Sequence, residues 1–239
     1  MPRPALIALV LGLLVAQAGT ASTEQRGYDV RYGPLTVLRI DYLGRENANS
    51  YAAAARIAAA GIISLFAPVS FDIHAEGRHN ATSFQPVSYR EDVETGRRSS
   101  TVELRYSGNR PEIAAISPEE AFPWDVALDD QRGTVDPMTA LHRLGRPNAA
   151  ADVCGWQLGI FDGRRRTRVV LGPPARDGDS ITCAGTYDRI GGFSPEEMDR
   201  HTSFGFSVRF SPVAGDGDLW ELSEARAQTI YGNVTVRRR

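Results

Sequence analysis

Cys154-Gly-Trp-Gln-Leu-Gly-Ile-Phe-Asp-Gly-Arg-Arg-Arg-Thr-Arg168, continued by Ser180-Ile-Thr-Cys-Ala-Gly-Thr-Tyr-Asp-Arg-Ile-Gly-Gly-Phe193, holds both cysteines of the chain and its clearest hairpin signal. From Trp156 to Phe161 bulky side chains alternate with small or polar ones, the period of a strand with one covered face. Asp162-Gly163 follows at once and predicts a two-residue hairpin turn, because that dipeptide accepts positive backbone angles. The return strand then runs from Arg164 to Leu171. Its opening residues Arg164, Arg165, Arg166 and Arg168 are too charged for burial on both faces, so the hairpin has a wet side and a candidate anion-binding face. A third strand, Ser180 to Ile190, carries Cys183 and ends at a Gly-Gly-Phe corner.

In a simple meander the first and third of these strands would lie two ladder spacings apart, roughly 9 to 10 Å. A disulfide needs Cα atoms about 4.4 to 6.8 Å apart. Either Cys183 lies on a strand next to that of Cys154, or Cys154 belongs to the irregular chain before its strand and folds across. The run Gly145-Arg-Pro-Asn-Ala-Ala-Ala-Asp152 favours the second arrangement.

The N-terminus begins Met-Pro-Arg-Pro, continues from Ala5 to Val15 without a charge and reaches Ala16-Gln-Ala18. That is the layout of a cleavable secretory signal, read here as residues 1–21, with residues 22–239 forming a single domain and the periplasm as the expected compartment. Nothing later in the chain is apolar for the length of a membrane-spanning helix. Export makes a Cys154–Cys183 disulfide the expected state of the thiols. The histidines, His74, His79, His142 and His201, stand at no zinc-ligand spacing to a cysteine, so neither a metal nor another cofactor is expected. All 27 basic residues are arginine, against 29 acidic ones, and the formal charge of -2 argues against nucleic acid as a partner.

Elsewhere the chain reads as strand after strand. Tyr28 to Tyr32, Leu35 to Leu43, Val69 to Glu76, Thr82 to Glu91, Arg98 to Tyr106 and Arg110 to Ile116 alternate in period two, and Phe204 to Phe210 is strongly one-sided. Asp216-Gly217 predicts a turn into Leu219 to Ala225, and Gln228 to Arg237 a last strand with Ile230, Val234 and Val236 inward. Asp72, His74 and Glu76 share one face, which is read as solvated. Ser50 to Ala60 is rich in alanine and suits a helix by propensity, but its strand-like neighbours predict a strand of small residues running into a helical turn at Gly61 to Phe66. A row of alanines leaves room for a packed helix or a ligand.

Ser117-Pro-Glu-Glu120 and Ser194-Pro-Glu-Glu197 both carry the pattern of a capping box with proline in the first turn. Asp136-Pro-Met-Thr-Ala-Leu-His-Arg-Leu144, stopped by Gly145, is the best helix, with Met138, Leu141 and Leu144 expected to dock on the sheet. The fold class is thus mainly β: a large curved antiparallel sheet or incomplete barrel with a few short helices.

In order, Gly61-Ile-Ile-Ser-Leu-Phe66, Asp136-Pro-Met-Thr-Ala-Leu141, Cys154 with Ile160-Phe-Asp-Gly-Arg-Arg-Arg166, Cys183 with Arg189-Ile-Gly-Gly-Phe193, and Ser207-Val-Arg-Phe210 resemble the exported bacterial proteins of the domain of unknown function 3108 family. The resemblance implies an envelope protein with a half-barrel-like sheet whose concave side can shelter an apolar ligand; it brings no catalytic residues with it. Three functions follow as expectations. The first is a non-enzymatic carrier of a lipid or other amphipathic ligand. The second is an assembly factor binding another envelope protein by an edge strand, or an anionic surface by Arg164 to Arg168 and the tail Arg237, Arg238 and Arg239. The third is a hydrolase built on Asp136, His142 and Asp162, which lacks any accompanying nucleophile or zinc motif.

Overall fold

The computed structural model describes residues 22–66, 68–80, 83–229 and 232–239. The predicted export signal and Ile230 lie outside them. Seven strands come first: β1 Ser22–Tyr32, β2 Leu35–Glu46, β3 Ser50–Ala59, β4 Ser70–His79, β5 Phe84–Glu94, β6 Ser99–Ser107 and β7 Arg110–Ser117. Helix α1, Pro137–Gly145, and the two-residue β8, Asn148–Ala149, lead into β9 Gln157–Phe161, β10 Arg166–Asp177 and β11 Ser180–Gly191. Helix α2, Pro195–Arg200, then precedes β12 Ser203–Val213, β13 Asp216–Thr229 and β14 Gly232–Arg238.

The strands form one antiparallel sheet in the order β7-β6-β5-β4-β3-β2-β1-β14-β13-β12-β11-β10-β9, with β8 pairing off this path against β13. The first and last strands therefore meet in the middle, Val30 opposite Val236, and the sheet's edges are β7 and β9. The seam is reinforced by ion pairs. Arg26 and Arg238 both pair with the buried Glu221, Arg237 donates to Glu224 at 3.0 Å, and Arg239 pairs with Asp41. The tail arginines thus close the molecule on itself, since a buried carboxylate is tolerated only when paired.

The sheet is not closed into a barrel. The chain from 118 to 135 fills the gap between its edges: Gly133 N donates to Asn109 O, Val126 N to Arg164 O, and Val135 exchanges backbone hydrogen bonds with β9. Helix α1 then enters the concave side. β3 is a strand despite its alanines, because pairing on both sides outweighs a weak helix preference. Ala53, Ala55 and Ala75 are buried there, and their small side chains give α1 its room. Gly77 extends this economy: a Cβ on it would stand 2.5 Å from the Tyr51 hydroxyl.

Cys154 lies in the irregular chain before β9 and is bonded to Cys183 on β11, with Cα atoms 5.9 Å apart. β11 neighbours β10 and not β9, so the crossing arrangement is the one present. Several local expectations are corrected. The hairpin loop is the four residues 162–165, with Phe161 opposite Arg166, because the Asp162 carboxylate accepts the Arg164 and Arg165 amides. Ser117 to Glu120 is no helix: Ser117 still pairs with Thr101 and the Ser117–Pro118 peptide is cis. The β12–β13 turn falls at 214–215, one step before Asp216-Gly217. Helix α2, by contrast, has its complete capping box on Ser194 and Glu197, and the turn at 61–65 is a 3-10 helix.

Candidate ligand-binding cleft at the open end of the sheet

The concave side has two ends with different contents. At the end where β2 finishes and β3 begins, α1 fills it with a polar face. Met138, Thr139, His142 and Arg143 are buried, whereas Leu141 and Leu144 are only partly covered, so the docking face is rotated from the apolar one the spacing suggested. Asp136 caps the helix, accepting from Thr139 N at 2.7 Å and from Thr139 Oγ1 at 2.6 Å, and that hydroxyl meets Tyr51 Oη at 2.6 Å. Burial pushes the Asp136 carboxyl up to about 6, against the opposing pull of its Thr139 hydrogen bonds.

His142 Nδ1 lies 2.6 Å from Tyr42 Oη and its Nε2 2.8 Å from Glu46 Oε1. Burial lowers the imidazole's pKa against the pull of Glu46, and Tyr42 and Glu46 fix the ring's orientation. For Glu46 burial works against the charge, but His142 and Arg146 outweigh it and hold the carboxyl below the usual range. Rings of Tyr51, Phe84 and His142 stack around this contact, and the Arg143 guanidinium sits over Trp156 at 5.4 Å. This end is packed solid.

The other end is open. A cleft of about 350 Å³ runs into the concave side there. Its floor is Phe71, Val93, Val102 and Ile116 from β4 to β7. One wall is the β9–β10 loop with Asp162, Arg164 and Arg165, and the other is the chain after β7, where Phe122 and Trp124 stack with centroids 5.4 Å apart. Arg98 stands at the edge. Glu91 reaches into the cleft from β5 and accepts a hydrogen bond from Tyr89 Oη at 2.8 Å; burial raises its pKa despite that bond. An apolar floor below a few convergent ionic groups is what holds an amphipathic small molecule.

The structure disperses the four arginines of the predicted anion-binding face. Arg164 pairs with Asp125 at 2.6 Å, Arg166 donates to the Asp130 carbonyl, and Arg168 pairs with Asp188 at 2.8 Å on the outer surface. Arg165 lies over the Phe193 ring at 5.2 Å and makes no ion pair among the described residues. Only Arg164 and Arg165 line the cleft. Asp136, His142 and Asp162 are not brought together, because the first two lie under the plugged end and Asp162 holds its own loop. Asp72, His74 and Glu76 sit on the outer face, and no metal-holding group of three such side chains occurs among the described residues.

Sequence reading missed Glu91, Phe122 and Trp124. β5 carries a bulge at Val87: Phe84 and Pro86 point inward before it, Tyr89, Glu91 and Val93 after it. A one-residue slip exchanges the faces, and its one signal was Pro86, since a proline inside a central strand sits at a bulge. Phe122 and Trp124 flank Pro123 in chain with no periodicity, where large exposed aromatics were the available signal.

A family model described as protein of unknown function (DUF3108) matches residues 27–201. Among solved structures, the chain is similar to a beta-barrel-like protein of domain of unknown function DUF1849 from Brucella abortus, with 12% sequence identity and a TM-score of 0.45 over 90% of this chain and 94% of that one. No curated protein matches the sequence.

Proposed function

The chain belongs to the family of proteins of unknown function DUF3108, and from that premise we propose that it is an exported, periplasmic envelope protein that holds a small amphipathic ligand in the open end of its curved sheet. The observation that carries the reading is the cleft itself. The helix that fills the concave side stops short, and beyond it the cleft is lined by Phe71, Val93, Val102 and Ile116, of which Val93 and Val102 are buried and Phe71 and Ile116 partly exposed.

The ligand's apolar body lies on that floor, and its head meets the edge. Arg98 and Arg165 are guanidinium groups without ion pairs among the described residues, suited to an anionic head, while Glu91 below them, held by the buried Tyr89, suits a hydroxyl. Site volume limits the guest to a modest size, since about 350 Å³ is at the small end of ligand sites. The exported location rests on the N-terminal charge and hydropathy pattern. Native mass spectrometry of protein taken from its own host, followed by organic extraction, is the test. A bound species that is lost in Ser100→Trp, a substitution that fills the cleft from its wall, supports the reading; a protein that is reproducibly empty in both forms overturns it.

A further inference from the structure

Among the described residues, exposed large apolar side chains concentrate at one end of the molecule. Among the described residues ten are exposed, and seven of them lie on the turns and strand ends at the open end; Val87, Ile113 and Ile190, the last in a separate depression with Leu158 and Arg168, are elsewhere. Scattered singly such residues mean nothing, but a group on one rim marks a contact surface. Its centre is the 3-10 turn 61–65, none of whose residues is buried, with Leu65 and Phe66 at 77% and 81% exposure.

Neighbouring turns extend it. Ala60 N donates to Val37 O, which sets Ile62, Leu65 and Phe66 beside the β1–β2 turn that exposes Tyr32 and Leu35. The β5–β6 turn packs from the other side, since a Cβ on Gly96 would lie 3.1 Å from Pro68. That turn carries Arg97 and Arg98, and the β1–β2 turn is flanked by Arg31; none of the three makes an ion pair among the described residues. The only acid in the β5–β6 turn, Glu94, is occupied in accepting the Gly96 amide.

We propose that this rim, Tyr32, Leu35, Ile62, Leu65 and Phe66 with Arg31, Arg97 and Arg98, docks the protein on an anionic lipid surface. The apolar tips come from separate turns and project around a mouth, so they do not form a groove in which a partner's strand or helix would lie. They enter the interfacial layer of a bilayer, and the unpaired guanidinium groups meet lipid phosphates beside them. Charge complementarity selects the occupant: this part of the rim is basic, whereas the acids Glu119 and Glu120 follow β7 on the opposite side of the cleft. The inference stands on the rim and not on an occupant of the cleft, which an empty protein would leave intact.

Sedimentation with vesicles tests it, using the folded chain and phosphatidylcholine vesicles with and without phosphatidylglycerol. The expected result is binding to the anionic vesicles that weakens with added salt and falls roughly tenfold or more in Leu65→Ser/Phe66→Ser. Arg97→Gln/Arg98→Gln binds anionic vesicles severalfold more weakly and loses most of the salt dependence. Both pairs are on the surface, so unchanged melting temperatures confirm that the fold is kept. Equal binding by the parent and the Leu65/Phe66 variant, or no binding by the parent, overturns the proposal. So does a parent dimer that the same variant dissociates, since the rim would then be covered by a second copy.

Discussion

The two ends of the concave side are built from the same strands and end differently. Where α1 lies, the sheet offers Ala53, Ala55 and Ala75, and the space they leave is taken by a helix whose Thr139 hydroxyl and His142 imidazole are held by the sheet. Toward the mouth the same strands β4 and β5 offer Phe71 and Val93, with no helix above them. The alanines make room for the helix at one end, and at the other the cleft opens where the helix stops.

That contrast can be broken in four ways. The Cys154–Cys183 bond ties the chain leaving α1 to β11, so Cys154→Ala/Cys183→Ala should cost about 3.5 kcal/mol, from a closed loop of 29 residues. Denaturant unfolding measures the loss, and hydrogen exchange should show loosening around α1 with β4 to β7 at the cleft unaffected.

Asp136 comes next. Its folded pKa of about 6 exceeds its ordinary 3.8, so the native state binds the proton more tightly. Stability from this group is full below pH 4 and is lost as pH rises to about 6, on the order of 3 kcal/mol. Asp136→Asn keeps the acceptor for Thr139 N and should remove that decline, seen as a difference between the two proteins' stability profiles over the same range.

Adding bulk should distinguish the ends directly. Ala75→Leu pushes against α1 and should cost about 1 to 3 kcal/mol, whereas Phe71→Trp extends into the cleft and should cost less than about 0.5 kcal/mol. Equal costs would mean that the mouth is as tightly filled as the plug. The smallest effects come from two tyrosines. Tyr51→Phe removes one hydrogen bond at Thr139 Oγ1, which still donates to Asp136, and should cost about 1 kcal/mol, but Tyr106→Phe should be neutral or slightly stabilising, because its buried hydroxyl has no hydrogen-bond partner among the described residues.

Much of the sheet was legible because its information is local. The alternation in Tyr28 to Tyr32, Val102 to Tyr106 and Phe204 to Phe210, and the caps Asp136 and Ser194, each report on a few neighbouring residues, and each names its element. The cleft was legible through Asp162, Arg164 and Arg165, and for a different reason than expected: they line its wall without forming an arginine face or a catalytic group. Glu91 was lost to the β5 bulge, and the docking face of α1 was misjudged because a concave wall of tyrosines can satisfy His142 and Thr139, so that burial did not follow hydropathy.

By itself the sequence determined the strands, most of their turns, two of the capped elements and the helix that would need room, since each depends on side-chain period and backbone preference over a few residues. The pairing of β1 with β14, the entry of α1 into one end and the opening left at the other depend on contacts between residues far apart in the chain, where many arrangements share one local pattern. Only the folded sheet chose among them, because which surface is covered is decided by what else competes to cover it.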